Sequence, residues 1–202
     1  MVCVSLTVDH CVARRRWAQE HLIWRRDEWR DVLFTDESRF SIRLSSGENV
    51  TLGIILHLRT KVSDLADMDW AGVSINGRTD LYIIRNGELT AQRCRDDILR
   101  PIVGPYAASI WVESILMDDN ARPHCARLVD NFLFNEGILR MDWPAYSSDI
   151  NPIEHVWDIL GRRIADRSSL PETIQQLESS LLQEWERIPK SFIDNLIIFH
   201  AS

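Results

Sequence analysis

Cysteine is sparse and scattered. Cys3, Cys11, Cys94 and Cys125 never form a C-x-x-C pair, so neither a zinc knuckle nor a dense disulfide frame is expected, and the four read as reduced thiols. Glycine (8) and proline (7) fall below average usage for 202 residues, and no window is repetitive or low in complexity, which excludes disordered, fibrous and solenoid classes. The longest apolar stretch, Leu52 to Leu58, is far short of the about 20 residues that span a bilayer. At the start, Asp9 and His10 precede Arg14, Arg15 and Arg16, the wrong order for a secretory signal. The expectation is one intracellular soluble domain, and 45% hydrophobic residues suffice for a sizeable core.

Net charge is −7, unevenly spread: residues 1–30 carry six arginines against four acids, and the rest carries 17 bases against 26 acids. So acidic a body repels phosphate backbones unless divalent cations or a local basic patch intervene. Composition therefore argues against a stand-alone DNA-binding module, though not against a metal-dependent enzyme. Arg14, Arg15, Arg16, Arg25, Arg26 and Arg30 form the only concentrated positive charge, readable as a solvated helix face or as a phosphate-contacting patch.

Hydrophobic spacing predicts an amphipathic helix from Val8 to about His21, with Val8, Val12, Ala13, Trp17 and Leu22 on its apolar side, and a short helical piece at Asp27 to Arg30. Val32 to Thr35 reads as a buried strand ending at Asp36-Glu37-Ser38, followed by a second strand from Arg39 to Leu44. Ser45 to Asp69 shows neither a clean helical nor a clean strand period. Ala71 to Ile75, Asn76-Gly77 and Leu81 to Ile84 predict a tight hairpin closed by Asn86-Gly87, since Asn-Gly tolerates the positive φ of a primed turn. Thr90 caps a helix to about Leu99, stopped by Pro101; Ser114 to Met117 is a short buried strand; Ala126 to Phe134 is a helix ended by Gly137; Ile138 to Trp143 is another strand. Asn151 as cap, Pro152 at the first position and Glu154 three residues after the cap start a helix with Trp157, Leu160 and Ile164 on one face. Pro171 opens a long helix and Pro189 a final short one. The pattern is that of an α/β layered domain. Of the eight tryptophans, Trp17, Trp157 and Trp185 fall on apolar helical faces and read as core rather than base-stacking residues.

Three acids fall where elements end or begin: Asp36, Asp119 and Glu154. If the strands before Asp36 and Asp119 are adjacent and parallel, the two would share the crevice beyond their carboxyl ends. Hard oxygen ligands so gathered suit Mg²⁺ or Mn²⁺, and two such ions can activate a nucleophile and stabilise a leaving oxygen in phosphoryl chemistry. The residues alone also allow a bland reading, with Asp36 and Asp119 in turns and Glu154 as the capping-box partner of Asn151. Glu37 and Asp118 leave open which neighbour points inward. His124 and His155 follow triad acids at no zinc spacing and read as hydrogen-bonding groups rather than ligands. Asp158, one turn after Glu154, is a rival ligand.

The strings Phe34-Thr35-Asp36-Glu37-Ser38-Arg39-Phe40, Met117-Asp118-Asp119-Asn120-Ala121-Arg122-Pro123-His124 and Ser147-Ser148-Asp149-Ile150-Asn151-Pro152-Ile153-Glu154-His155-Val156-Trp157 resemble the three acid blocks of the mariner superfamily of DNA transposases. The 34 residues between Asp119 and Glu154 match the separation of its Tc branch, and similar strings cover Trp70 to Ile102 and Val129 to Pro189. The resemblance implies an RNase H-like mixed β-sheet flanked by helices over residues 31–202, divergent at 45–69, after a helical lead-in at 1–30. It implies that Asp36, Asp119 and Glu154 are the catalytic Asp-Asp-Glu triad and the ligands of two Mg²⁺ or Mn²⁺ ions. Water would be activated to nick DNA at transposon ends, and the freed 3′ hydroxyl would attack target DNA. It further implies a nuclear protein whose partners are transposon-end and target DNA, with no membrane, and it admits a homodimer. Family members carry paired helix-turn-helix modules before the catalytic domain, and no such length precedes Asp36. Ser148 replaces a usual proline, Ser45 to Asp69 lacks the family's basic Trp-Arg-Pro-Gly segment, and the basic ending is absent. These departures mark a truncated copy, for which the alternative is a catalytically inactive transposon-derived remnant or a protein-interaction module.

Overall fold

A single long strand, β1 (Val32–Leu44), organises the sheet. The computed structural model describes residues 6–44, 50–55, 65–75, 77–85, 87–110 and 114–200. One edge of β1 pairs antiparallel with β3 (Leu65–Ser74), from Phe34 opposite Val73 to Ile42 opposite Leu65. The other edge has two neighbours in succession. Val32 to Phe34 pair in parallel with β6 (Ile115–Met117), and Arg39 to Leu44 pair antiparallel with β2 (Val50–Ile55). Among the described residues, 35–38 therefore pass a gap on that edge between the end of β6 and the end of β2.

Beyond β3 lie β4 (Gly77–Arg78) and β5 (Tyr82–Ile84), which both pair with it, and β7 (Leu139–Arg140) runs parallel to β6. The sheet is mixed, in the order β4-β3-β1-β6-β7. Strand alternation sends Val32, Phe34 and Phe40 to one face, where they pack with helices α6 (Pro152–Ala165), α7 (Ile174–Glu186) and α8 (Lys190–His200). Leu33, Leu116 and Trp70 face the other side, against a continuous helical run and against α5 (Arg127–Glu136). That run comprises α3 (Ala91–Arg93), a π-helical segment (Cys94–Val103) and α4 (Gly104–Ile110). Preceding the sheet are α1 (Val8–His21) and α2 (Arg26–Arg30).

Several expectations from sequence are corrected. The two strands expected either side of Asp36-Glu37-Ser38 are one, because all three residues keep their pairing to β3. Ser45 to Asp69 contributes both β2 and the start of β3; residues 45–49 and 56–64 lie outside those described. In the hairpin region Gly77 and Gly87 have positive φ as their turns require, Asn76 and Asn86 are outside the described residues, and the return strand is split into β4 and β5. Pro101 does not stop its helix: the backbone widens to π pitch, with Gly104 N–H reaching Leu99 O, so the ring sits in a turn that does not need the i−4 bond. The strand expected from Ile138 to Trp143 shrinks to two residues because β6 ends at Met117, and Met141 and Trp143 turn into the core. The helix expected from Pro171 starts at Ile174, where Thr173 caps Gln176 N–H.

The first helix has its expected bounds but buries no residue: Val8 and Val12 are 78% and 61% exposed. It is held through Trp17, whose ring lies 4.8 Å from Trp143 in an edge contact and 4.2 Å from His21. Trp157 and Trp185 are core, stacked at 5.5 Å.

Candidate active site

The three acid-bearing segments meet at the gap in β1. Thr35 bridges two of them, its hydroxyl donating to Met117 O at 2.7 Å, so β1 is fixed against β6 just before Asp119. Gly72 makes room for this: a Cβ there would lie 3.1 Å from Thr35 Cγ2. Thr35 O, which no described strand pairs on this edge, accepts from Asn151 Nδ2 at 3.3 Å, and Asn151 Oδ1 accepts from Ile153 N–H at the start of α6. One buried amide therefore joins the strand of Asp36 to the helix of Glu154. The helix start at Pro152 is as expected, but Glu154 is not a capping-box partner. The Asn151 N–H it would take is donated to Ser148 O.

The expected adjacency also holds, because β1 and β6 are neighbouring parallel strands. Asp36 is on the α6 face of β1 and 3% exposed. Burial, and then the charges of Glu154, Glu37 and Asp119, push its carboxyl well above the usual value. Asp118, the neighbour that sequence could not separate from Asp119, is buried away in a forked pair with Arg140, at 2.6 and 3.0 Å. Asp118 Oδ1 also accepts from Asn120 N–H, and Asp119 Oδ1 accepts from Ala121 N–H at 2.8 Å. Asn120 sits at φ 61°, a left-handed conformation fixed by its amide donating to Trp143 O at 2.7 Å. The turn is thereby held with Asp119 exposed enough to meet a ligand.

Glu37 points to the other face of β1. There His124, 5% exposed, brings Nε2 within 3.1 Å of Glu37 Oε1 and 3.8 Å of Asp119 Oδ1, while Nδ1 lies 3.4 Å from Cys94 Sγ. Burial opposes its charge, but the Glu37 carboxylate and Cys94 outweigh that and hold the imidazole pKa well above 6.5. Glu37 and Cys94 were not legible as partners of His124, since no sequence spacing relates them. His155 lies on the exposed side of α6, and the rival Asp158 is engaged with Arg162 at 2.7 Å. The loop before α6 is pinned from outside: Arg14 reaches Asp149 through both carboxylate oxygens at 2.6 Å and Tyr146 O at 3.0 Å.

The donor set fits a hard divalent cation. Asp36, Asp119 and Glu154 offer carboxylate oxygens, and the mutual repulsion that burdens Asp36 is what a cation would relieve.

Residues 60–178, a span that includes Asp119 and Glu154, match the family model described as DDE superfamily endonuclease. The chain belongs to this family. Its relatives include the transposable element Tcb2 transposase of Caenorhabditis briggsae, 26% identical over 207 residues that cover 96% of this chain and 72% of the relative. The transposable element Tc1 transposase of Caenorhabditis elegans is 27% identical over 195 residues, covering 92% and 70%. Among solved structures, the catalytic domain of Mos1 mariner transposase shares the fold with a TM-score of 0.72 at 17% identity, covering 100% of this chain and 93% of that one. The fold also matches the Mos1 transposase in its paired-end complex with the left transposon end, with a TM-score of 0.75, over 98% of this chain and 60% of that one. The expected RNase H-like mixed sheet flanked by helices is therefore observed, and the chain spans roughly two thirds of its full-length relatives.

Proposed function

We propose that this chain is the catalytic domain of a transposase that cleaves and joins DNA strands with divalent metal, Asp36, Asp119 and Glu154 being its ligands. The observation that supports this reading is the meeting of three acid-bearing segments: β1 is tied to the turn after β6 through Thr35 Oγ1 and Met117 O, and to the start of α6 through Asn151 Nδ2 and Thr35 O, so Asp36, Asp119 and Glu154 all come from one end of the parallel strand pair. Turn residues and surface acids have no physical reason to gather in this way. A pair of Mg²⁺ or Mn²⁺ ions, when bound, supplies activation of water and stabilisation of the leaving 3′ oxygen.

The chain's own part is positioning. Asp36 is fixed in depth by strand pairing, Asp119 by the Asp118–Arg140 fork and the Asn120 turn, and Glu154 by the Asn151 link to β1. The acidic body needs local positive charge to admit a phosphate backbone. Arg122 within the Asp119–His124 turn and Arg127 just after it are exposed, as are Arg15 and Arg16 on α1, the helix that Arg14 ties to the loop before α6. The partners of this reading are transposon-end DNA, as bound in the Mos1 paired-end complex, and target DNA.

The test is DNA nicking by the purified chain in Mn²⁺ or Mg²⁺, compared with Asp119→Asn and with EDTA. Metal-dependent nicking lost in the variant is expected, and equal activity of the two proteins refutes the assignment. Melting gives an independent readout: a free cation at a hundred times its dissociation constant stabilises by about 2.7 kcal/mol, and Asp119→Asn should lose most of that gain.

A further inference from the structure

We propose that Glu37, Asp119 and His124 form a second cation site, on the face of β1 opposite Asp36, that takes a borderline transition ion of the Zn²⁺ class rather than Mg²⁺. One ligand atom from each residue lies within 4.8 Å of the other two. The separations, 3.1 Å from His124 Nε2 to Glu37 Oε1 and 3.8 Å to Asp119 Oδ1, are close to those of a coordination polyhedron. Ligand atoms about 2.0–2.2 Å from Zn²⁺ stand roughly 3.0–3.5 Å apart, a range that the His124–Glu37 separation falls in and the His124–Asp119 separation exceeds by a few tenths of an ångström.

The histidine is also oriented for the purpose. Nδ1 lies 3.4 Å from Cys94 Sγ, a partner of the kind that holds metal-binding imidazoles in place, and Nε2 faces the two carboxylates, so that a cation bound there takes the place of the proton that Nε2 shares with Glu37. His124 is buried, so the ring has little freedom to turn away. Ligand chemistry sets the selectivity. An imidazole nitrogen favours Zn²⁺ or Co²⁺, whereas Mg²⁺ keeps to oxygen ligands and holds its waters. Three protein ligands leave a fourth position open to water or to a phosphate oxygen.

Strand alternation separates the two sites. Asp36 and Glu154 lie on one face of β1 and Glu37 and His124 on the other, with Asp119 at the end of β6 serving both. The inference rests on the triad reading only through Asp119, and it makes Asp119 a residue for which two kinds of cation compete.

The experiment measures Zn²⁺ affinity by competition dialysis and the Co²⁺ visible absorption spectrum for the unmodified chain, Glu37→Gln, His124→Gln and Asp36→Asn. Mg²⁺-dependent melting is recorded on the same proteins. The expected result is a Zn²⁺ dissociation constant raised at least about tenfold in Glu37→Gln and His124→Gln but little changed in Asp36→Asn. Mg²⁺ melting shifts should follow the opposite pattern. Because a buried-histidine variant can fail to fold, the ring nitrogens of His124 are also followed by NMR in the unmodified chain, where Zn²⁺ must move the Nε2 resonance. Zn²⁺ affinity that is unaffected by His124→Gln, abolished by Asp36→Asn, or unaccompanied by any change at Nε2 overturns this site. Zn²⁺ binding at His124 with no Mg²⁺ or Mn²⁺ effect at Asp36 supports it while refuting the triad.

Discussion

Replacing Asn151 by alanine removes two different things at once. The first is the helix cap, Asn151 Oδ1 to Ile153 N–H, whose loss costs about 1 kcal/mol. The second is the bond to Thr35 O, a carbonyl beside the sheet gap that no described strand pairs on that edge. Leaving such a group unsatisfied costs about 1–2 kcal/mol, toward the lower end here because the bond is 3.3 Å long. Together these predict about 2–3 kcal/mol for Asn151→Ala, or a melting temperature lower by roughly 4–12 °C at this domain size. Asn151→Ser separates the parts, since serine caps nearly as well but is too short to reach Thr35. It should cost about 1–2 kcal/mol, and the difference between the variants is the cap. Urea unfolding measures both. An alanine variant within about 0.5 kcal/mol of the unmodified chain, or a serine variant indistinguishable from it, refutes the account of Asn151 as the link between strand and helix. Under the proposed function, Asn151→Ser should also reduce the Mn²⁺-dependent melting shift, because Glu154 is no longer fixed against Asp36.

Asp36 has a pKa raised in the fold above the unfolded value near 3.8, so the folded state binds the extra proton; without metal, the Asp36 contribution to stability should be fully present below about pH 4 and be lost as pH rises through the folded value. Asp36→Asn should therefore raise metal-free stability at neutral pH and shallow this slope, leaving the part due to His124, whose raised pKa acts in the same direction; melts in EDTA from pH 4 to 8 would show a less stable variant at pH 8 if this is wrong. Arg140→Met strands the buried Asp118 carboxylate and should cost about 3 kcal/mol by urea unfolding, with Arg140→Lys recovering only part because it cannot fork; a cost below about 1 kcal/mol would contradict the clamp. Arg14→Ala breaks an exposed pair, since Asp149 is 58% exposed, and should change global stability by less than about 1 kcal/mol. Limited proteolysis within α1 should nonetheless accelerate, and an unchanged cleavage rate would show that Trp17 alone holds the helix.

Local signals were legible wherever chemistry and conformation sit in neighbouring residues. The cap and proline at Asn151-Pro152, the stop at Gly137 with its φ of 70°, the Thr90 cap and the bounds of α1 follow from side chains a few positions apart. The acid blocks were legible as blocks. Less visible was what a strand or helix would do under constraint from elsewhere. Asp36-Glu37-Ser38 reads as a turn, yet stays extended because β3 supplies partners along its whole length. Pro101 reads as a stop, yet the helix passes through it by widening.

What the sequence determined by itself is therefore the helix caps and stops and the family of acid strings, because these are set by residues within one or two turns of chain. How the two acids of each adjacent pair are disposed was decided only by tertiary structure. Asp118 is drawn away by Arg140, which comes from β7, and Glu37 by His124, which follows β6. The segments of Asp36 and Glu154, 118 positions apart, meet because Asn151 supplies a partner to Thr35 O, which no described strand pairs on that edge. A hydrogen bond between distant segments leaves no periodic trace in either, so no reading of one segment could reveal it.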